Sequence, residues 1–273
     1  MENQYEAKPI GEVEGLGLVY QVYAPLDRQI LAFQNVGIKH PFLVTPEETA
    51  MIRLAGLSSN YTRNCIAPVG VKGEAPLLYK PSILMNPEMA IIAVKSHLEG
   101  KYPALDRAFY EVLKERAKTE LGLAPEDRTA QVLQSNEDYD LTPEMDDARF
   151  LFGKQTAEYF KRFKHPSIKL YNLPTTETPK DKCSVNYLGF VRPKDGSELS
   201  FGKWFLDNDG RAFGVLRKSA EGTSQNSGYS LTNVKTAIVS AIPKTLEALG
   251  LSGVKDIVAG KLEEDILGIL RTQ

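Results

Sequence analysis

Two Asp-Gly dipeptides, Asp195-Gly196 and Asp209-Gly210, separate three strand-like segments in the C-terminal half of this chain. The segments cover 184–192, 198–206 and 211–218 and are rich in β-branched and aromatic residues. Asp-Gly supplies the positive φ angles that tight hairpin turns require, so the pattern predicts a three-stranded antiparallel meander. The chain is therefore expected to belong to a fold class that contains an antiparallel sheet.

Helix-start signals occur on both sides of these segments. Thr45-Pro46 and Asn86-Pro87 each place a side-chain cap before a proline at the first helical position, and Thr142-Pro143 repeats the pattern. The predicted helices cover 46–57, 87–98, 103–121, 142–164, 232–249 and 254–270, and short strands are expected at 17–23, 29–36 and 38–44. Helices segregated from an antiparallel sheet define an α+β fold.

Two lobes are predicted. Residues 1–138 form a mixed α+β lobe with short strands and three helices, and residues 139–273 form a basic, aromatic-rich lobe with a long helix, the meander and two terminal helices. From Gly122 to Asp140 the apolar pattern weakens, acids accumulate and turn formers appear, so the boundary is placed between about Ser135 and Leu141. A single continuous domain is the alternative.

Charge and aromatic residues are concentrated between Arg149 and Lys218. This window holds fourteen Lys and Arg residues against seven acids, a net charge of +7, in a protein whose net charge is −2. It also holds twelve of the twenty-four aromatic residues. Cations interleaved with flat rings can follow a phosphodiester backbone and stack unpaired bases.

Some of these cations and rings are accounted for by the predicted helix at 142–164, where cations complement the C-terminal carbonyls and aromatic residues form the buried face. The rings and cations of the meander are not explained in this way. Both faces of its strands bear large side chains, so either a second layer covers the sheet or its open face receives a ligand. The predicted nucleic-acid-binding residues are Tyr187, Lys194, Phe201, Lys203, Trp204, Arg211, Arg217 and Lys218. The rings would stack bases and the cations would neutralise phosphates, with single-stranded DNA or RNA favoured because no recognition-helix motif is present.

Two other functions remain open. The window from Glu111 to Asp147 has eleven acids against four Lys and Arg, a net charge of −7, so the protein could be a subunit of a larger assembly that pairs its acidic and basic surfaces. Within that window, Asp138, Asp140 and Glu144 could bind magnesium or manganese in a phosphodiester or nucleotide enzyme. A solvated linker and helix start is the simpler interpretation of these acids.

No complete catalytic or cofactor motif is present in the sequence. The segment from Gly196 to Lys203 has the wrong spacing for a phosphate-binding loop, and Tyr20 stands where a dinucleotide fingerprint needs its third glycine. We therefore expect a non-enzymatic protein without a cofactor or catalytic residues. Cys65 and Cys183 lack neighbouring metal ligands and are expected as buried thiols in a soluble, cytoplasmic protein with no membrane partner.

Overall fold

The computed structural model describes residues 5–58, 61–101, 103–163, 168–171, 178–191, 198–200, 206 and 209–217. The chain forms two compact units, Met1–Lys218 and Ser219–Gln273. All described residues belong to the first unit. The predicted helices 232–249 and 254–270 and the 219–230 loop therefore lie outside the described residues.

The described strands form two sheets. In chain order they are β1 (Lys8–Val13), β2 (Gly17–Ala24), β3 (Thr62–Arg63), β4 (Ala67–Gly70), β5 (Leu77–Tyr79), β6 (Ala104–Asp106), β7 (Ala130–Val132), β8 (Tyr139–Leu141), β9 (Ile168–Tyr171), β10 (Lys182–Val185), β11 (Gly189–Val191), β12 (Glu198–Ser200) and β13 (Gly210–Leu216). The first sheet has the order β1-β2-β13-β3-β11-β12-β9-β8, and the second has the order β6-β10-β4-β5-β7. Both sheets combine strands from before and after residue 138.

The described helices are α1 (Leu26–Asn35), α2 (Pro46–Leu54), α3 (Pro87–Leu98), α4 (Arg107–Thr119), α5 (Asp146–Phe152) and α6 (Thr156–Arg162). The α2 start has the predicted capping box, in which the Glu48 amide donates to Thr45 Oγ1 at 3.1 Å and the Thr45 amide donates to Glu48 Oε2 at 2.8 Å. At the start of α3, the Asn86 side chain accepts from the Glu88 and Met89 amides. The α+β class is confirmed.

The strand pairing differs from the predicted meander. The segment predicted as one strand at 184–192 divides into β10, in the second sheet, and β11, in the first. Strands β11 and β12 are antiparallel neighbours, as expected. Strand β13, however, pairs antiparallel with β2 along its full length, from Gly210 opposite Ala24 to Leu216 opposite Leu18, and parallel with β3. The third strand therefore joins the N-terminal strands, because β2 offers a seven-residue ladder there.

Two other segments also differ from expectation. The region predicted as a strand at 29–36 is the helix α1, and residues 38–44 form no strand. The long helix predicted at 142–164 begins later, after Met145, and is interrupted at Gly153. A φ of 54° at Gly153 ends α5, and a short 3-10 turn leads into α6.

The core is shared by both sheets. One buried cluster includes Val22 and Leu170 of the first sheet together with Val69 and Leu78 of the second. Cys65 and Cys183 are free and buried, as predicted. In the part of the chain that the structure describes, no helix is both long and apolar enough to cross a bilayer.

Candidate nucleic-acid interface

Tyr23 and Arg211 form a cross-strand pair at one end of the β2–β13 ladder. They are opposite each other in register, so their side chains share one face of the sheet. The Tyr23 side chain is 58% exposed, and Arg211 is half-buried. Gln21 lies on the same face, and Lys8 of β1 is opposite Gln21 and exposed. We call Lys8, Gln21, Tyr23 and Arg211 the Tyr23–Arg211 patch.

The Arg211 side chain has unused hydrogen-bonding capacity. Its Nε is buried and has no hydrogen-bond partner among the described residues. A guanidinium has five N–H donors, and a buried donor without a partner carries a desolvation cost.

The backbone beneath this pair is fixed by Gln29 of α1. The Gln29 Nε2 group donates to the Ala24 carbonyl at 2.8 Å and to the Gly210 carbonyl at 2.5 Å, and so joins the paired ends of β2 and β13. Arg63 Nη1 also donates to the Ala24 carbonyl, at 3.2 Å. A Cβ at Gly210 would lie 2.7 Å from Arg63 Cζ, so a larger residue here would displace the buried Arg63 guanidinium.

The neighbouring part of this face of β2 and β13 is buried. Val19, Phe213 and Val215 form a second buried cluster with Val44 and with Ile52 of α2. This packing buries the centre of the β2–β13 face and leaves the end with Tyr23 and Arg211 open.

Arg217, at the other end of β13, is exposed and forms an ion pair with Glu48 of α2. Arg211 and Arg217 are six residues apart, which is about 20 Å along a strand. The two predicted cations are therefore not brought together.

Tyr187 lies in the interior. It is buried, and its hydroxyl donates to the Leu84 carbonyl at 2.9 Å. Burial raises the pKa of Tyr187 well above its ordinary value. In this position its ring packs with the core and cannot stack a base. Lys194, Phe201, Lys203, Trp204 and Lys218 lie outside the described residues.

Sequence reasoning missed Tyr23 and Lys8. Tyr23 ends a correctly predicted strand, but its partner comes from a strand 188 positions away in the chain. The available signal was the alternation of Val19, Gln21 and Tyr23, which places the tyrosine on the face opposite buried Val22. Its pairing with Arg211 depends on strand order and could not be derived from local turn residues.

Several acids of the window from Glu111 to Asp147, which we call the acidic window, form hydrogen bonds or ion pairs within the fold. Asp147 is buried and accepts from Gln131 Nε2, the Gln134 amide and the Tyr139 hydroxyl. Burial raises the pKa of its carboxyl group. Asp146 forms an ion pair with Arg128, and Glu126 forms one with Arg149. Within the described ranges no three acidic, thiol or imidazole groups could hold a metal ion, and Asp138, Asp140 and Glu144 are within those ranges.

The described residues define an α+β protein in which the Tyr23–Arg211 patch lies at an open end of the β2–β13 ladder. No family model and no curated protein matches the chain. Among solved structures, it is similar to a Nanoarchaeota protein described as accommodating massive sequence variation through the C-type lectin fold, with a TM-score of 0.51. The two are 15% identical, and the match covers 75% of this chain and 100% of that one. At this identity the similarity concerns the fold alone.

Proposed function

We propose that this protein binds single-stranded nucleic acid, DNA or RNA, and has no catalytic role. The observation that carries the proposal is the exposed ring of Tyr23 directly opposite the half-buried cation Arg211. A base can stack on the exposed ring while the guanidinium neutralises a phosphate. Lys8, two strands from Arg211, adds a second cation on the same side.

The scaffold is compatible with a binding role. The C-type lectin fold of the Nanoarchaeota protein accommodates massive sequence variation. A fold that tolerates change at its surface is suited to recognition, because the sites of binding proteins are placed on a rigid framework. Phe201, Lys203, Trp204, Lys194 and Lys218 lie outside the described residues and are retained as proposed nucleic-acid-binding residues from the sequence. A cytoplasmic location is also proposed, since Cys65 and Cys183 are free thiols, as in reducing compartments.

Oligonucleotide binding tests this function directly. We expect a fluorescent single-stranded oligonucleotide to bind the full chain at low salt and to quench Trp204, the sole tryptophan. Affinity should fall steeply with added salt, because cations on the protein displace counterions from phosphates. No binding at low ionic strength would remove the proposal.

Substitutions assign the binding to the patch. Tyr23→Ala should weaken binding by about 1–3 kcal/mol, the typical contribution of one stacked base. Arg211→Ala should weaken binding and reduce the slope of log affinity against log salt by about 0.7. Asp209→Asn should strengthen binding, since this exposed carboxylate lies two residues from Arg211. Arg116→Ala, an exposed arginine on α4, is the matched control and should leave affinity unchanged.

A further inference from the structure

The outward side of α3 carries an apolar pair between opposite charges. Ile91 is 38% and Ile92 is 54% exposed, near the middle of the helix. Glu88 lies one turn before the pair, Lys95 lies one turn after it, and both are exposed. Single exposed apolar residues are ordinary, whereas an apolar pair flanked by opposite charges on one helix side is a candidate interaction surface.

The two charges cannot pair with each other. Glu88 and Lys95 are seven residues apart, about 10.5 Å along a helix axis, which is too far for an ion pair between them. Neither forms an ion pair with another described residue. Glu99, the neighbouring exposed acid, is paired with Lys101 at 3.1 Å.

The spacing of these residues is self-complementary. The midpoint between Glu88 and Lys95 is also the midpoint between Ile91 and Ile92. When two copies of α3 lie antiparallel around a two-fold axis through that point, Glu88 faces the second copy's Lys95, and Ile91 faces the second copy's Ile92. Each contact then occurs twice, as in an isologous interface, and the apolar contacts lie between the two ion pairs.

We propose that Glu88, Ile91, Ile92 and Lys95 form a self-association surface that pairs two copies of this chain through antiparallel α3 helices. The occupant is a second copy because the charge pattern complements itself in this orientation. The helix has twelve residues, so one helix pair buries less area than a standard stable interface. The dimer is accordingly weak and reversible. It does not depend on the acidic window or on nucleic-acid binding.

Sedimentation velocity of the full chain across a wide concentration range tests the proposal. Wild-type protein is expected to shift from monomer to dimer as concentration rises. Glu88→Lys and Lys95→Glu should each weaken the dimer about tenfold or more, because each places like charges opposite one another twice. The double variant Glu88→Lys with Lys95→Glu restores complementarity and should dimerise within about threefold of wild type.

Two further variants distinguish this antiparallel helix pairing from non-specific association. Ile92→Asp should leave the protein monomeric, while Val112→Asp, at a 64% exposed valine on α4, should not change self-association. All positions are exposed, and circular dichroism checks that each variant is folded. A wild-type monomer at every concentration, a dimer that survives Ile92→Asp, or a double variant that stays monomeric would each overturn the proposal.

Discussion

Lys80 places an ammonium group in a half-buried position. Its Nζ donates to the Phe150 carbonyl and lies 3.9 Å from the centroid of the Phe150 ring. Burial lowers the pKa of Lys80 from 10.5 to about 8, and the nearby Cys65, Glu47 and Glu126 only partly oppose this shift. The folded protein therefore releases this proton at a lower pH than the unfolded chain does.

This shift predicts a pH dependence of stability. The contribution of Lys80 to the free energy of unfolding should rise with pH between about 8 and 10.5, by at most about 1.4 kcal/mol per pH unit. Burial raises the pKa of Cys65 to about 12, which gives an opposite trend above pH 9. The measured quantity is therefore the difference between wild type and Lys80→Met in urea unfolding at several pH values.

The control for this comparison is Lys72→Met, at an exposed lysine. Its difference from wild type should not change with pH. A Lys80→Met difference that is equally flat would contradict a buried ammonium group. Because Lys80 and Phe150 are seventy positions apart, the sequence alone gave no indication of this site.

Helix-start signals that lie within one turn predicted α2 and α3 correctly. Thr45 and Glu48 cap α2, and Asn86 caps α3, so the information is local. Helix α1 was missed because its N-cap is Pro25 and no side chain caps it. Its apolar run at Ile30 to Phe33 is equally compatible with a buried strand.

Sheet order could not be predicted in the same way. The Asp-Gly dipeptides favour hairpins between neighbouring segments, but β13 pairs with β2 and β3. The register of distant strands depends on which apolar faces are covered by other elements, and this is a property of the whole fold. For the same reason, the local pattern could not decide whether Tyr187 lies on a covered or an open face, and the structure buries it.

Gln29 connects helix α1 to the end of the β2–β13 ladder, and its loss should affect both stability and binding. Gln29→Met keeps a similar volume but removes both bonds to the Ala24 and Gly210 carbonyls. We expect a loss of about 1–3 kcal/mol in the free energy of unfolding. Oligonucleotide affinity should also fall, because Tyr23 and Arg211 are adjacent to the released pair. Gln34→Met, at an exposed glutamine on the same helix, should change neither quantity.

The core shared by the two sheets predicts that both sheets unfold together. Leu170 of β9 and Leu78 of β5 belong to one buried cluster although their strands are in different sheets. A core in which side chains of both sheets interlock loses its packing cooperatively. A division into two independently stable lobes near residue 138 would instead allow one part to open alone.

Leu170→Ala distinguishes these two behaviours. Leu170 is fully buried, so its truncation should cost about 2–5 kcal/mol. If both sheets unfold in one step, hydrogen exchange at the most protected amides of β4, β5 and β7 should become faster by the factor that corresponds to this loss in the free energy of unfolding. None of these strands neighbours β9. Leu216→Ala, at a 36% exposed position, should cause a much smaller change. If Leu170→Ala speeds exchange in β9 and β12 but leaves β5 and β7 protected, the lobes fold separately, and the contacts across the core contribute little to stability.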